Sequence, residues 1–290
     1  MISTRMIKDS QFPLDIIRID SQDTMALHTH NVTELVLVLS GQGTHITRDE
    51  EYRITQGDVF VIQKNEAHCY RETHRLTLVN VMFDDRRLGL PRADLGHVEG
   101  HHVLFDIEPH LRRGRHTGTR LHLSPEDLGQ AADLVTRIEE ELAAGAAGYR
   151  FMTSAMLMQL LGFLSRCCSD ERPSTGRAML RIGRVLSYMD HHFAESITTH
   201  TLTRLAHKSP SSLRRAFREA VGVSPMAYLI RLRIRKGAEM LRSPNARITA
   251  IAHRVGFSDG NYFSRQFRSV LGVTPRQYKQ QACLLDDADA

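Results

Sequence analysis

Apolar and polar positions follow two different periods along this chain of 290 residues. From about residue 14 to residue 83, short apolar runs at 35–39, 59–62 and 76–83 are separated by turn formers, Gly41 and Gly43 in one gap and Gln56-Gly57-Asp58 in the next. Short strands spaced in this way predict an all-β sandwich or barrel. At Ser124 the period lengthens. Ser124-Pro125-Glu126-Asp127 sets a capping hydroxyl, a proline and two carboxylates at a helix start. Leu128, Ala131, Leu134, Val135, Ile138 and Leu142 then recur at helical spacing to about Ala144. Gly145 and Gly148 break that helix, and a second apolar helix follows over about 151–166. Residues 169–176 are polar, include Pro173 and Gly176, and predict an interdomain linker. Residues 88–123 carry no periodic pattern, and His97, His101 and His102 read there as loop residues.

Beyond the linker the pattern is helical throughout, and it contains a repeat. Leu202 and Ser209 align with Ile251 and Ser258 at an offset of 49. One inserted residue then makes the offset 50, so that Leu213, Arg215, Phe217, Arg218 and Pro225 align with Phe263, Arg265, Phe267, Arg268 and Pro275. Each copy reads as a short apolar helix, a turn, and a second helix that opens at Ser209-Pro210 or Ser258-Asp259, where the side chains supply N-caps. A helix-turn-helix needs this arrangement, because its second helix presents N-terminal residues to base edges in the major groove. Leu213 and Phe217 form the core pair of the first copy, which leaves Ser211, Arg214, Arg215 and Arg218 for the groove. In the second copy Phe263 and Phe267 face the core and leave Asn261, Ser264, Arg265 and Arg268. Arginine bonds guanine in bidentate fashion and asparagine bonds adenine, while Ser209 and Ser258 stand where helix-end hydroxyls and amides meet phosphate. Between the copies, residues 225–241 predict one rigid helix with Tyr228, Leu229, Leu232, Ala238 and Leu241 inside and Arg231, Arg233, Arg235 and Lys236 outside. Such a spacer would set two recognition helices about 34 Å apart, one turn of DNA.

Charge reinforces this division. The net charge is only +5, but 19 basic and 5 acidic residues between Arg177 and Gln280 leave +14 there and −9 elsewhere. That asymmetry fits a polyanion-binding module attached to a domain with other work. Cys69, Cys167, Cys168 and Cys283 follow neither a disulfide nor a metal spacing, which points to a reducing compartment. No stretch approaches the ~18 apolar residues of a membrane span, so a cytoplasmic location is expected.

The stretch IAHRVGFSDGNYFSRQFRSVLGVTPRQYK closely resembles the C-terminal signature of the AraC/XylS family of transcription regulators, with the likeness running over about 182–279. In the N-terminal half, His28-Thr-His30 followed by Glu34 and Gly41 matches the first cupin motif, and Gly57 with His68 keeps two positions of the second. Gln22, Gln63 and Asn65 depart from it, standing for a glycine, a proline and a glycine. The resemblance implies a multidomain α+β protein. Residues 1–168 form a cupin-like β-barrel with accessory helices for effector binding and dimerisation, and 169–179 a linker. Residues 180–281 form an all-α DNA-binding domain of two helix-turn-helix units joined by a linker helix, and 282–290 an acidic tail. His28, His30, Glu34 and His68 then read as effector-binding residues, as ligands of a first-row divalent metal, which three imidazoles and a carboxylate suit, or as structural histidines.

Residues 12–83 look most like the rhamnose-responsive activators of sugar catabolism. The implied function is a non-enzymatic, sequence-specific activator that responds to a sugar and requires no cofactor. Its implied partners are double-stranded promoter DNA, a small carbohydrate, RNA polymerase and a second copy of the chain. Two alternatives remain: a regulator sensing a metal or another metabolite through the same barrel, and, from a different class, a cupin enzyme. From the +14 segment we predict that DNA affinity falls steeply between 50 and 200 mM salt, by about three decades or more if six or more phosphates are contacted; nearly flat binding would refute the electrostatic reading.

Overall fold

A computed structural model describes residues 3–5, 11–48, 50–91, 94–112, 120–169, 174–243 and 246–286. The chain divides into two units, Met1–Gly183 and Arg184–Ala290. In the first, eight strands join in one sheet: β1 (Ser3–Arg5), β2 (Leu14–Ile19), β3 (His28–His30), β4 (Thr33–Thr47), β5 (Glu51–Thr55), β6 (Asp58–Ile62), β7 (His68–Phe83) and β8 (Leu121–His122). The long antiparallel pair β4–β7 is its axis, with β6 and β5 on the other side of β4, and β2 and β3 on β7.

Register shifts along β4 between Val38 and Thr44 mark bulges, which bend and twist a strand. Gly41 sits at this bend with φ of 73°, and a Cβ there would lie 2.1 Å from the Arg75 carbonyl, so only glycine fits. Val36, Val38, Ile54, Phe60, Ile62, Leu76 and Leu78 alternate inward along these strands and form the core.

Residues 95–112, unpatterned in sequence, are helical: a 3₁₀ turn at Leu95–His97, α1 (Glu99–His102), a π turn at Val103–Ile107 and α2 (Glu108–Arg112). His101 and His102 are therefore buried helical residues rather than loop residues. His102 is held between the carboxylate of Asp106 at 2.7 Å and the carbonyl of Gly96 at 3.0 Å. Helix α3 (Pro125–Ala144) starts where the capping signal puts it, with the Ser124 hydroxyl accepting from the Asp127 amide. Leu128, Ala131, Leu134, Val135 and Ile138 are buried and Leu142 half-buried. Helix α4 (Tyr149–Cys167) buries Leu157, Leu160, Leu161 and Leu164 and leaves Phe151 and Met152 exposed.

The expected linker is corrected over its second half, because α5 (Ser174–His192) runs through it and across the boundary between the units. In the second unit follow α6 (Thr199–Ala206), α7 (Pro210–Val221), α8 (Pro225–Leu241), α9 (Ile248–Arg254), α10 (Gly260–Leu271) and α11 (Pro275–Asp286). Helix α11 thus includes residues 282–286 of the expected tail, and 287–290 lie outside the described residues. Among the described residues, no helix is long and apolar enough to cross a membrane.

Helix α8 is central to this unit. Ile234, Ala238 and Leu241 pack with Ile251, Val255, Phe257, Phe263 and Phe267 of the second helix-turn-helix. Gly237 lets α8 approach until a Cβ would stand 3.2 Å from the Phe263 ring. We predict that Phe263→Ala costs about 3–5 kcal/mol, the range for emptying a buried aromatic site, seen in urea as a lowered midpoint of the C-terminal transition with the N-terminal one unmoved; an unchanged midpoint would remove this ring from the core.

Candidate functional site

Two groups of side chains carry the chemistry. The first is a polar cluster inside the sheet. Alternation along a strand puts His28 and His30 on one face of β3, and antiparallel pairing sets His68 opposite His28. The tight connection from β3 to β4 then returns Glu34 beside His30. All four side chains are buried. His28, His30 and His68 offer ring nitrogens that lie within 4.8 Å of one another. Glu34 Oε2 stands 3.0 Å from His30 Nε2 and 3.4 Å from His68 Nε2. Neither approach has the alignment of a hydrogen bond.

Burial alone would raise the carboxyl pKa of Glu34. The contact with His30 and the charges of His68, His30 and His28 outweigh burial and hold it below the ordinary value. His68 is pushed down to about 4, first by desolvation and then by His28 and His30, against the pull of Glu34. It is therefore neutral near pH 7, with a nitrogen lone pair to offer. Backbone carbonyls orient two rings: Ala26 accepts from His28 Nδ1 at 3.1 Å and Glu66 from His68 Nδ1 at 3.4 Å. Nδ1 protonation turns each Nε2 into the donor atom, the arrangement found around metal-binding histidines. Both ring nitrogens of His30, Nε2 of His68 and both carboxylate oxygens of Glu34 are buried without hydrogen-bond partners. Donor set and geometry together fit a first-row divalent metal.

The departures from the cupin pattern are accommodated. Asn65 adopts φ of 63°, which asparagine tolerates where the pattern has glycine. Gln63 Nε2 donates to the Phe105 carbonyl at 2.8 Å. Sequence reasoning missed His45, which is buried among Tyr52, Phe60 and Tyr70 with its ring 5.5 Å from that of His68. Its only sequence signal is its place on β4, opposite Tyr52 and Tyr70.

The second group lies on α7 and α10. Leu213 and Phe217 of α7 are buried while Ser211, Arg214, Arg215 and Arg218 are exposed. The Ser209 hydroxyl accepts from the Ser212 amide and caps the helix. On α10, Phe263 and Phe267 are buried, and Asn261, Arg265 and Arg268 are exposed. Ser264 is half-buried, and its hydroxyl donates to the Gly260 carbonyl at 2.9 Å. The expected Ser258 cap is corrected: the Asp259 carboxylate accepts from the Asn261 amide at 2.8 Å, and Ser258 makes no cap. Both residue types cap helices, and only the backbone fold decides which one precedes the first turn. A carboxylate at this end repels phosphate, so the two recognition helices differ there. Exposed Tyr262 is an addition, with the Arg265 guanidinium 5.8 Å from its ring centre.

Residues 202–281 match a family model described as a helix-turn-helix domain and 16–82 one described as a cupin domain. The chain is 31% identical over 276 residues to the HTH-type transcriptional activator RhaR of Yersinia pseudotuberculosis, covering 93% of this chain and 90% of that protein. Identity to RhaR of Enterobacter sp. is 29% over 262 residues, covering 90% and 89%. Among solved structures, the C-terminal domain of AraT, a response regulator from Geobacillus stearothermophilus, is 32% identical, covers 35% of this chain and 84% of its own, and gives a TM-score of 0.33.

We predict that Arg215→Ala and Arg265→Ala each weaken specific DNA binding about 5- to 150-fold, the equivalent of one lost bidentate base contact, with a smaller loss on random DNA. Equal losses on both in gel-shift titrations would reduce these side chains to phosphate contacts.

Proposed function

Because the chain belongs to the AraC/XylS family of transcription regulators, we propose that it is a sugar-responsive activator of catabolic genes, acting in the cytoplasm as a homodimer. The observation that carries this reading is the presence in one chain of a buried imidazole–carboxylate cluster and two exposed arginine-bearing recognition helices. The first can sense a small molecule and the second read promoter DNA.

A polyol suits the cluster, since imidazole and carboxylate groups bond hydroxyls. A divalent metal held by His28, His30, Glu34 and His68 would add a Lewis acid for adjacent hydroxyls. The likeness of residues 12–83 to rhamnose-responsive activators favours a deoxysugar. The sugar can gate the protein only by binding one of its conformations better than another. Exposed Phe151 and Met152 on α4 offer apolar surface for a dimer seam, and a dimer would engage two half-sites and present RNA polymerase with a paired surface. A second reading, in which the metal is itself the signal, is supported by the close approach of the three histidines.

We predict that a cognate deoxysugar at a hundred times its Kd stabilises the full chain by about 2.7 kcal/mol, measured by thermal shift with and without divalent metal. His30→Ala should abolish that shift and leave sugar-free DNA affinity unchanged. An unaltered sugar shift in the variant would remove the cluster from the effector site, and a metal-only effect on DNA affinity would select the second reading.

A further inference from the structure

Helix α8 was expected to hold all its charges outside, and Arg231 and Arg235 are indeed exposed. Arg233 and Lys236 are not: both are half-buried, Lys236 with its Nζ 6.0 Å from the centre of the Phe193 ring, and desolvation lowers the Arg233 pKa. Arg233 Nε donates to the Phe193 carbonyl at 2.6 Å and its Nη2 to the Glu195 carbonyl at 2.7 Å. The guanidinium also lies 5.8 Å from the centre of the Phe257 ring. Phe193 and Glu195 belong to the turn between α5 and α6, which leads into the first helix-turn-helix. Phe257 and Gly256 belong to the turn between α9 and α10, inside the second. One planar, two-pronged donor therefore bonds one turn and packs beneath the other, which a single ammonium point charge cannot reproduce.

The repeat supplies an independent observation. At the offset of 49, Gly256 corresponds to His207. Both have positive φ, 88° and 48°, which favours glycine at either position, and the two positions differ further in the space around them. His207 is exposed, whereas a Cβ on Gly256 would lie 2.7 Å from the Ala194 carbonyl and 2.9 Å from Arg233 Nη2. The second turn has shed its side chain where it meets Arg233 and the 193–195 turn.

We propose that Arg233 is the positioning residue of the second helix-turn-helix: it locks the α9–α10 turn against the α5–α6 turn that leads into the first helix-turn-helix, and so sets where α10 lies when the protein reads DNA. Arg233 touches no base in this role. The inference rests on both recognition helices reading DNA, and the experiment separates the two claims.

The test is methylation-protection footprinting of the full chain on a promoter fragment that it retards. Arg215→Ala and Arg265→Ala identify the groove segments read by α7 and α10. Arg233→Met, Arg233→Lys and Gly256→Asn should each lose protection at the α10 segment and keep it at the α7 segment, whereas His207→Gly should keep both. Asparagine is the side chain that best tolerates positive φ, so this Gly256 variant adds the least backbone strain to the loss of space beside Arg233. Loss of both segments together in the Arg233 variants, as general unfolding would give, or retention of both, overturns the proposal. If Arg265→Ala alters no segment, the reading of DNA by α10 fails and the inference falls with it.

Discussion

The first unit is organised around one costly act, the burial of the Glu34 carboxylate. An isolated charge in an apolar interior is very unfavourable unless it is neutralised or compensated. Here the His30 and His68 imidazoles stand 3.0 and 3.4 Å from it, and together with His28 they hold its pKa below the ordinary value against burial. β3, the start of β4 and the start of β7 bring these four side chains together. The apolar core surrounds this cluster, with the His45 ring between it and Tyr52, Phe60 and Tyr70. Buried titratable groups gathered in this way mark a candidate functional site.

The second unit solves a different problem. Two helix-turn-helix copies bury few residues each, Leu213 and Phe217 in one recognition helix, Phe263 and Phe267 in the other. They share α8 as a common wall. The duplication is close in pattern but not in chemistry: a serine caps α7 and an aspartate caps α10, and an exposed histidine in one turn answers to a packed glycine in the other. The exposed ends of the two helices therefore differ in charge and hydrogen-bonding character.

Several features were legible from residues alone. Strand against helix, the start of α3 at Ser124, the repeat with its offset, and the separation of Leu213 from Arg215 or Phe263 from Arg265 all follow from backbone period and cap chemistry. These are local rules, satisfied within one element. The His-x-His of β3 was equally visible, because two residues apart on a strand means one face.

What tertiary structure alone decided was the fate of polar groups whose partners come from elsewhere in the chain. His45 gains meaning only when β4 pairs with Tyr52 and Tyr70, and His101 only when α4 brings the Ser165 hydroxyl to its ring. Arg233 reads as one more solvated arginine until the carbonyls of Phe193 and Glu195 arrive 40 and 38 residues away in sequence. Periodicity reports which face of an element a residue occupies, but burial of a charge depends on what another element brings opposite it. Sequence by itself therefore determined the two kinds of unit and which arginines of α7 and α10 are exposed, while packing decided which charges became internal supports.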